Sequence, residues 1–379
     1  MPVDWPGRAG SSEPGYTWVV STVSLKTPLH GAHVRLGARL VEFAGYDMPV
    51  QYKGVIAESK AVRSGAGMFD VSHMARLTFT GDRVLEYLEF VTANDVAALA
   101  NYQGQYSMLP NENGGLVDDI IVYRINAGEY RMVVNAANHE KDVAHLRKHN
   151  TYGVQMEDTT DRTAMIAVQG PGAAVTVAGM SDKPEEMVSV PFFSVVECNV
   201  AGVPSFCARS GYTGEDGYEL ICPAEGAERL WDALAAAGVE PCGLGARDVL
   251  RLEAGLPLYG HELSDDMNPI AAQLGWAIGK EKTFLGSGPI QHAREHGTPT
   301  KLRGVRLNGK RLPMPGMEVL VGGKPVGNVC SGVFSPTLDC GLAFAYIGSE
   351  VKLNTPCELD MRGKPEPGTI VGKRFLKGT

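Results

Sequence analysis

The 379-residue chain is 44% hydrophobic and 21% charged, proportions that are typical of a globular protein. Its length predicts two or three domains, because a single hydrophobic core rarely serves more than about 250–300 residues. The formal net charge of −8 argues against a protein that binds nucleic acid by neutralising phosphates. No apolar run approaches the roughly 18 residues that a membrane span needs. We therefore expect a soluble protein that binds neither nucleic acid nor membranes.

The cysteine pattern and the N-terminal residues bear on the cellular compartment. Seven cysteines, an odd number without a C-x-x-C pair, predict reduced thiols in a reducing compartment, with neither a disulfide framework nor a zinc site. Residues 1–24 contain no apolar signal core and only one arginine, so we predict a disordered tail, with the remnant of a tag or transit peptide as the alternative. These features favour a bacterial cytoplasm, or the mitochondrial matrix if the source is eukaryotic.

In chain order, the first predicted elements are an amphipathic helix over residues 54–64 and a second helix with Asp82 as its N-cap. Residues 116–125 and 130–136 are β-rich runs joined by a turn at residues 126–128, which predicts a hairpin. Further helices are predicted at about 138–148, 224–237 and 246–254, and strands at 164–168 and within 192–208.

From Lys301 onward the helical pattern disappears. Short β-rich runs interrupted by Gly and Pro are typical of a small β-barrel or sandwich. The predicted strands are 302–307, 318–321, 327–334, 342–347 and 358–361. Residues 280–300, polar and without a clear period, are the predicted linker. The segment 301–379 contains 12 Lys and Arg against 6 Asp and Glu, a net charge of +6 that leaves −14 on the rest of the chain. Such a basic domain could attract an acidic protein or a polyanionic substrate tail.

A first cluster that could carry chemistry is the pair Asp118 and Asp119, which follows the turn Asn111–Gly115. Adjacent side chains of a strand point to opposite faces, so only one of the two carboxylates can face a given pocket. A carboxylate in such an apolar strand could orient or deprotonate an amine. The alternative is a turn whose aspartate caps solvent-exposed amides.

A second cluster spans Arg209–Glu219. Two of its glycines could allow the backbone to approach a ligand, Tyr212 offers a ring face, and Glu219 offers a pair of acceptors for adjacent N–H donors. A hairpin turn with a surface acid would explain the same residues.

The third cluster, Gly243–Asp248, precedes a predicted helix but lacks the G-x-G-x-x-G spacing of a phosphate loop. Its Arg247 could bind a carboxylate with two parallel hydrogen bonds, or could pair with Asp248 or Glu253. His145 and His149 have i, i+4 helical spacing, but no third ligand accompanies them, so we expect no metal site.

Taken singly, these clusters do not specify a reaction. Together with other blocks, in order along the chain, they resemble the glycine cleavage system T-protein (aminomethyltransferase) family, from about Leu25 to Lys373. The matching blocks are Lys26–Leu29, Phe43–Tyr52, Met68–Met74, Tyr106, Asn111–Gly115, Asp118–Asp119, Val134–Asn138, Gln169–Pro171, Gly211–Gly217, Cys242–Asp248, Leu258–Glu262 and Ser331–Pro336.

The resemblance implies an α+β fold: a three-domain cloverleaf with antiparallel and ferredoxin-like elements and a C-terminal β-barrel, around a central folate channel. Residues 25–280 would form two intertwined α+β domains that bind folate, and residues 301–379 the barrel. It also implies a reaction in which tetrahydrofolate accepts the methylene group of an aminomethyl unit carried on the lipoylated H-protein of the glycine cleavage system. The products would be 5,10-methylenetetrahydrofolate, ammonia and the dihydrolipoyl arm.

The same resemblance implies roles for individual residues. Asp119 would be the catalytic carboxylate that positions folate and raises the nucleophilicity of its reacting nitrogen. Glu219 would hold the pterin donors, and Arg247 would lie nearer the glutamyl end or order the pocket. The residues expected to line the pterin ring are Met74, Tyr106, Asn135 and Tyr212.

Two relatives of this architecture are alternatives. A stand-alone tetrahydrofolate-dependent demethylase of a small methylated sulfur or amine compound could keep the folate residues and change only the donor pocket. A folate-binding maintenance protein of the iron–sulfur type is less consistent with the sequence, because its Lys-Gly-Cys-type motif is absent and Asp119 is present.

Overall fold

The computed structural model describes residues 24–361 and 363–376, so the predicted tail over residues 1–24 lies outside the described residues apart from Ser24. The helices are α1 (His30–Arg35), α2 (Val55–Ser64), α3 (Val84–Val91), α4 (His139–His149), α5 (Ala173–Gly179), α6 (Pro184–Ser189), α7 (Ala227–Ala236), α8 (Leu244–Ala254) and α9 (Ser287–His296). The strands before the barrel are β1 (Arg39–Phe43), β2 (Tyr46–Gln51), β3 (Gly67–Asp70), β4 (Ala75–Thr80), β5 (Gln103–Pro110), β6 (Leu116–Asn126), β7 (Glu129–Val134), β8 (Gln155–Asp158), β9 (Thr163–Gln169), β10 (Val195–Val200), β11 (Val203–Ala208), β12 (Gly217–Pro223) and β13 (Glu240–Pro241).

Two larger sheets and a β1–β2 hairpin precede the barrel. One sheet has five antiparallel strands in the order β5-β6-β7-β4-β8. The other has six strands in the order β10-β11-β12-β9-β3-β13, of which only the β13–β3 pair is parallel. The predicted hairpin is confirmed, because β6 and β7 pair directly and Asn126 lies opposite Glu129.

Alternation along β6 divides its side chains between two cores. Ile120 and Val122 pack in a cluster with α3 and α4 residues, whereas Tyr123 and Ile125 belong to a cluster shared with the six-stranded sheet. Side chains of a strand alternate between its two faces. Asp118 therefore lies on the α4 side and Asp119 on the side of the second sheet, as the sequence predicted.

Helix α8 connects this second core to the C-terminal domain. Its Ala246 and Leu250 pack with residues of both large sheets, and its Val249 and Leu252 pack against residues of the barrel. The side chains of one helix thus contact three sheets, which positions the start of α8 close to the polar residues of β6.

Residues 300–371 form a closed β-barrel. Its strands are β14 (Thr300–Leu307), β15 (Glu318–Val321), β16 (Lys324–Ser335), β17 (Cys340–Gly348), β18 (Pro356–Asp360) and β19 (Pro365–Val371). They pair in the order β14-β17-β16-β15-β18-β19, and β19 returns to β14. The mixed α+β fold with a C-terminal barrel is confirmed, and of the predicted alternatives the barrel is the correct one. Strand β19 was not predicted from its pattern.

One local prediction was wrong, and a second missed a helix. Asp82 is not an N-cap: α3 begins at Val84, Arg83 takes the cap position without a side-chain hydrogen bond, and the Val84 amide bonds to the carbonyl of Gly81. The predicted linker 280–300 contains α9, whose buried Ile290 and Ala293 hold it against the body of the protein. Two buried apolar residues in ten are too few for a helical period to stand out in the sequence.

Of the helices in the described part of the chain, none is long and apolar enough to span a lipid bilayer.

Candidate functional site

Asp119 is the centre of a hydrogen-bonded polar group on the inner face of β6. The Tyr106 hydroxyl donates to its Oδ2 at 3.0 Å, and the Asn135 side-chain amide donates to its Oδ1 at 2.9 Å. Register explains the first contact, since Tyr106 lies opposite Ile121, two residues along the same face from Asp119. Asn135 follows the last residue of β7 and so reaches the same edge. Each carboxylate oxygen keeps a further lone pair for a ligand.

The environment makes Asp119 an unusually strong base for a carboxylate. Burial raises its pKa to about 7, and the negative charge of the neighbouring Asp118 adds to that effect. Burial also raises the pKa of the Tyr106 hydroxyl well above its usual value. At neutral pH the group can therefore exchange a proton at Asp119 while Tyr106 remains a hydrogen-bond donor.

Asp118, on the opposite face of the strand, is fully buried and has its own donors. The Asn135 backbone amide donates to it at 2.8 Å, the Asn135 side chain at 2.9 Å and the Asn138 side chain at 2.5 Å. The amide of Asn135 thus bridges the two aspartates. This bridge ties the orientation of Asp119 to the helix side of the sheet.

A second group surrounds Arg247, in the first turn of α8. Its guanidinium lies over the Tyr212 ring, 4.7 Å from the centroid, and its Nη2 is 4.0 Å from the Met74 sulfur. The Nη1 atom is buried and has no hydrogen-bond partner among the described residues. The sequence suggested that Arg247 could pair with Asp248 or Glu253. It pairs with neither, because Asp248 binds Arg251 and Glu253 binds Arg63.

Glu219 lies on β12 and is 7% exposed, so it is not the surface acid of a simple hairpin turn. One of its oxygens accepts a hydrogen bond from the Ser210 hydroxyl at 2.6 Å. No described residue donates to the other oxygen. Its charge interacts with Arg247, and that of Asp119 with Tyr212, so the three parts of the site lie within electrostatic range of one another.

The seven predicted site residues therefore assemble from distant parts of the chain. Those in direct contact form two groups: Asp119 with Tyr106 and Asn135, and Arg247 with Met74 and Tyr212. Sequence reasoning missed three residues that contact them: Trp276, Ser210 and Asn138. Of these, Trp276 is 67% exposed and stacks on the Tyr106 ring at 5.5 Å. Its neighbours from Ile270 to Ile278 are mostly apolar, so nothing in the sequence indicated that this tryptophan is exposed beside the site.

Packing inside the protein also requires a glycine at position 211 of the Arg209–Glu219 loop. A Cβ atom on Gly211 would lie 1.8 Å from the Gln169 side chain. Gln169 is fully buried, donates to the Ser210 carbonyl at 2.9 Å and accepts from the Thr213 hydroxyl at 2.8 Å. Gly211 is therefore required for packing that shapes the loop, and the loop in turn presents Tyr212.

A separate cleft of about 300 Å³ lies between the two large sheets and includes none of the seven predicted site residues. Two of its arginines form ion pairs: Arg131 contacts Glu129 at 3.2 Å and Arg162 contacts Glu157 at 2.6 Å. The third, Arg76, donates hydrogen bonds to the carbonyls of Ser72 and Thr160.

All seven cysteines are free, and six of them are buried. Within residues 24–361 and 363–376, no three His, Cys, Asp or Glu side chains are grouped so that they could hold a metal ion.

Comparison with known proteins decides the family. The model of the GCVT N-terminal domain matches residues 29–282, and that of the glycine cleavage T-protein C-terminal barrel domain matches residues 301–377. The chain belongs to the glycine cleavage T-protein family. An aminomethyltransferase of Thermus thermophilus is 47% identical over 93% of this chain and 99% of its own length. One of Deinococcus deserti is 44% identical over 95% and 99%.

The fold agrees with this assignment. The crystal structure of the glycine cleavage system aminomethyltransferase T from Bartonella henselae superposes with a TM-score of 0.87. That protein is 32% identical, and the match covers 93% of this chain and 98% of the other. The chain is thus a tetrahydrofolate-dependent aminomethyltransferase by family, which favours this activity over a stand-alone demethylase.

Proposed function

We propose that Asp119 is the carboxylate through which this aminomethyltransferase acts on tetrahydrofolate. The observation that carries the proposal is that Tyr106 and Asn135 hold both Asp119 oxygens while burial raises its pKa to about 7. A carboxylate held in this way can accept a proton or a hydrogen bond from a reacting N–H group. Tetrahydrofolate supplies the nitrogen nucleophile that takes the methylene of the aminomethyl group carried by H-protein, which yields 5,10-methylenetetrahydrofolate, ammonia and the dihydrolipoyl arm.

Arg247, the cationic residue of the site, is suited to bind a negatively charged group or a hydrogen-bond acceptor of the same ligand. A cation in the first turn of a helix is disfavoured by the helix dipole, and a buried N–H without an acceptor costs further free energy. Both costs fall on Arg247, whose Nη1 has no partner among the described residues. A carboxylate or carbonyl of bound folate would supply the missing acceptor.

Glu219 supports recognition of the pterin ring. Ser210 holds one of its oxygens at 2.6 Å and leaves the other for a ligand donor. A pterin presents adjacent N–H groups that can donate to this carboxylate. A ligand without such donors would bind less well, because it would leave a nearly buried charge unpaired, which is costly. In this arrangement Met74, Tyr106, Asn135 and Tyr212 would line the ring.

The basic barrel domain is the proposed docking region for the lipoylated H-protein or for a polyglutamate tail. The support is electrostatic: residues 301–379 carry a net charge of +6 in an acidic chain, and such a patch speeds encounter with an acidic partner. Neutralising substitutions of its exposed Lys and Arg residues should raise the KM for lipoyl-H-protein at low salt. An unchanged KM would refute docking of H-protein on the barrel.

The central experiment compares the wild type with Asp119→Asn in the formation of 5,10-methylenetetrahydrofolate from aminomethyl-loaded H-protein. We expect turnover to fall by about 100-fold or more, the usual contribution of a positioned acid–base group, while calorimetry still detects tetrahydrofolate binding. Asp266→Asn is the matched control, because Asp266 is exposed and should retain full activity. Turnover by Asp119→Asn near the wild-type level would overturn the role of Asp119. Folate binding by the wild type without H-protein-dependent turnover would instead point to a demethylase.

The second experiment tests Arg247. Replacement by Met keeps an unbranched, flexible side chain but removes the guanidinium and its charge. We expect tetrahydrofolate to bind about 10- to 100-fold more weakly, equivalent to one charge-assisted hydrogen bond of about 1.5–3 kcal/mol. Arg147→Met, on the exposed face of α4, is the control. Equal affinity in the two variants would argue against a ligand contact at Arg247.

A further inference from the structure

Asp142, on α4, is a buried carboxyl group that the proposed reaction does not use. It is 0% exposed, and it lies within hydrogen-bonding reach of the equally buried Asp118. Two carboxyl groups can share a hydrogen bond only if one of them carries a proton. The question is which of the two holds it.

The distribution of donors answers that question. Asp118 receives three N–H hydrogen bonds, from Asn135 and Asn138, and such bonds favour an ionised carboxylate. Neither oxygen of Asp142 receives a hydrogen bond from an N–H or O–H group among the described residues. An ionised Asp142 would be a buried charge without compensation, which is strongly unfavourable.

The charged neighbours do not change this conclusion. On its own helix, the ammonium of Lys141 is engaged by Tyr259 at 2.7 Å and by Asp265 at 3.1 Å. On β6, Asp118 and Asp119 are both acidic, and they oppose a further negative charge. Burial and these two carboxylates raise the pKa of Asp142 to about 11, while Lys141 lowers it only in part.

We propose that Asp142 remains a neutral carboxylic acid at physiological pH and donates its proton to Asp118, which makes it a positioning residue for Asp119. The donated hydrogen bond keeps Asp118 ionised. That fixed charge, and the Asn135 amide that bridges the two aspartates, set the orientation and basicity of Asp119. The location of the proton is independent of the reaction, whereas its catalytic consequence rests on the proposed function.

Infrared spectroscopy tests the location of the proton without any assay of activity. At about pH 9, between the pKa values of Asp119 and Asp142, the wild type should show the carbonyl band of a protonated carboxylic acid. The band should vanish in Asp142→Asn and persist in Asp119→Asn. Its absence from the wild type, or its persistence in Asp142→Asn, would overturn the proposal.

The pH profile of turnover tests the consequence. Asn at position 142 still donates a hydrogen bond to Asp118, so the acidic limb of kcat/KM should stay in place. Leu at that position has a similar size but removes the donor, so Asp118 should take up the proton and the limb should move to lower pH by about one unit. A purely structural role would lower activity or stability in both variants without moving the limb.

The outcomes separate the two proposals. If the limb stays in place in an active Asp142→Leu variant, or moves equally with Asn and Leu, the positioning role is wrong. If Asp142→Leu does not fold, the infrared result on Asp142→Asn still decides where the proton lies. Absence of turnover in the wild type, with the infrared band as expected, would refute the proposed function and leave the assignment of the proton intact.

Discussion

Individual residues in this site are held in states that cost stability. Asp119 binds its proton up to a pH of about 7 when folded but only to about 3.8 as an ordinary aspartate. Between these values the folded chain binds more protons than the unfolded chain, so the free energy of unfolding falls as the pH rises through this window. Above about pH 7, the ionised carboxylate lowers the free energy of unfolding. Such destabilising groups are often found at functional sites.

Removing that charge should therefore stabilise the protein at high pH. We expect Asp119→Asn to raise the free energy of unfolding above pH 7 by up to about 4 kcal/mol, at about 1.4 kcal/mol for each unit of pKa shift. The gain should be much smaller at about pH 4, where the folded carboxyl group is protonated and the unfolded one is only partly ionised. Urea denaturation of wild type, Asp119→Asn and the control Asp266→Asn at the two pH values measures it. A gain that does not depend on pH would contradict the assignment of the shift to ionisation.

At the scale of secondary structure, a buried glutamate joins the starts of two helices. Glu58, in the first turn of α2, accepts hydrogen bonds through Oε1 from three successive backbone amides, those of Tyr52, Lys53 and Gly54, at 2.7–2.9 Å. Its Oε2 accepts from the Gly243 amide at 2.8 Å, at the N-cap of α8. A negative charge at a helix N-terminus also favours the helix dipole. The carboxylate therefore fixes the start of α8, the turn that carries Arg247.

Loss of this carboxylate should destabilise the fold and disturb the site together. We expect Glu58→Ala to lower the free energy of unfolding by about 3 kcal/mol or more, because one buried and three partly buried amides lose a charged acceptor. Glu42→Ala is the matched control: Glu42 accepts one backbone amide, that of Gly45, in an exposed setting, and should cost less than about 1 kcal/mol. Thermal and urea unfolding measure both variants. Equal losses would show that the hydrogen bonds of Glu58 contribute little.

At the scale of the whole molecule, a buried ion pair of the region before the barrel is hydrogen-bonded to a barrel serine. Arg251 of α8 binds Glu262 at 2.8 Å and also donates to the Ser331 hydroxyl of β16 at 2.9 Å. Arg251 and Glu262 are 1% and 0% exposed on their side chains. Such a pair is costly to break on one side, because the remaining charge stays buried without a partner.

The effect of breaking it can be measured directly. We expect Arg251→Leu to cost about 3–5 kcal/mol of unfolding free energy, and a double variant with Glu262→Leu to recover part of that loss. Arg83→Leu is the control, since Arg83 pairs with Glu86 on the surface and such pairs contribute about 0–1 kcal/mol. A cost for Arg251→Leu within the range of the control would mean that the barrel is held by its apolar contacts alone.

The sequence predicts best those features that depend on residues close together in the chain. The β6–β7 hairpin, α8 and most barrel strands have clear periods and turn residues, because side-chain alternation and turn chemistry depend on neighbours in the chain. Helix α9 has only two buried apolar residues, so its helical period is weak and it was taken for a linker. Asp82 carried a plausible capping signal, but the chain used Arg83.

The same distinction holds for the site. Alternation on β6 was enough to predict that Asp118 and Asp119 face opposite sides, and family motifs pointed to the residues around Asp119. The sequence by itself thus determined the class of elements, the family and the candidate residues. Only the tertiary structure decided that Asn135 bridges both aspartates, that Asp142 faces Asp118, and that Glu58 reaches Gly243. Those contacts join residues far apart in the chain, and they exist only once the strands have paired and the helices have packed on them.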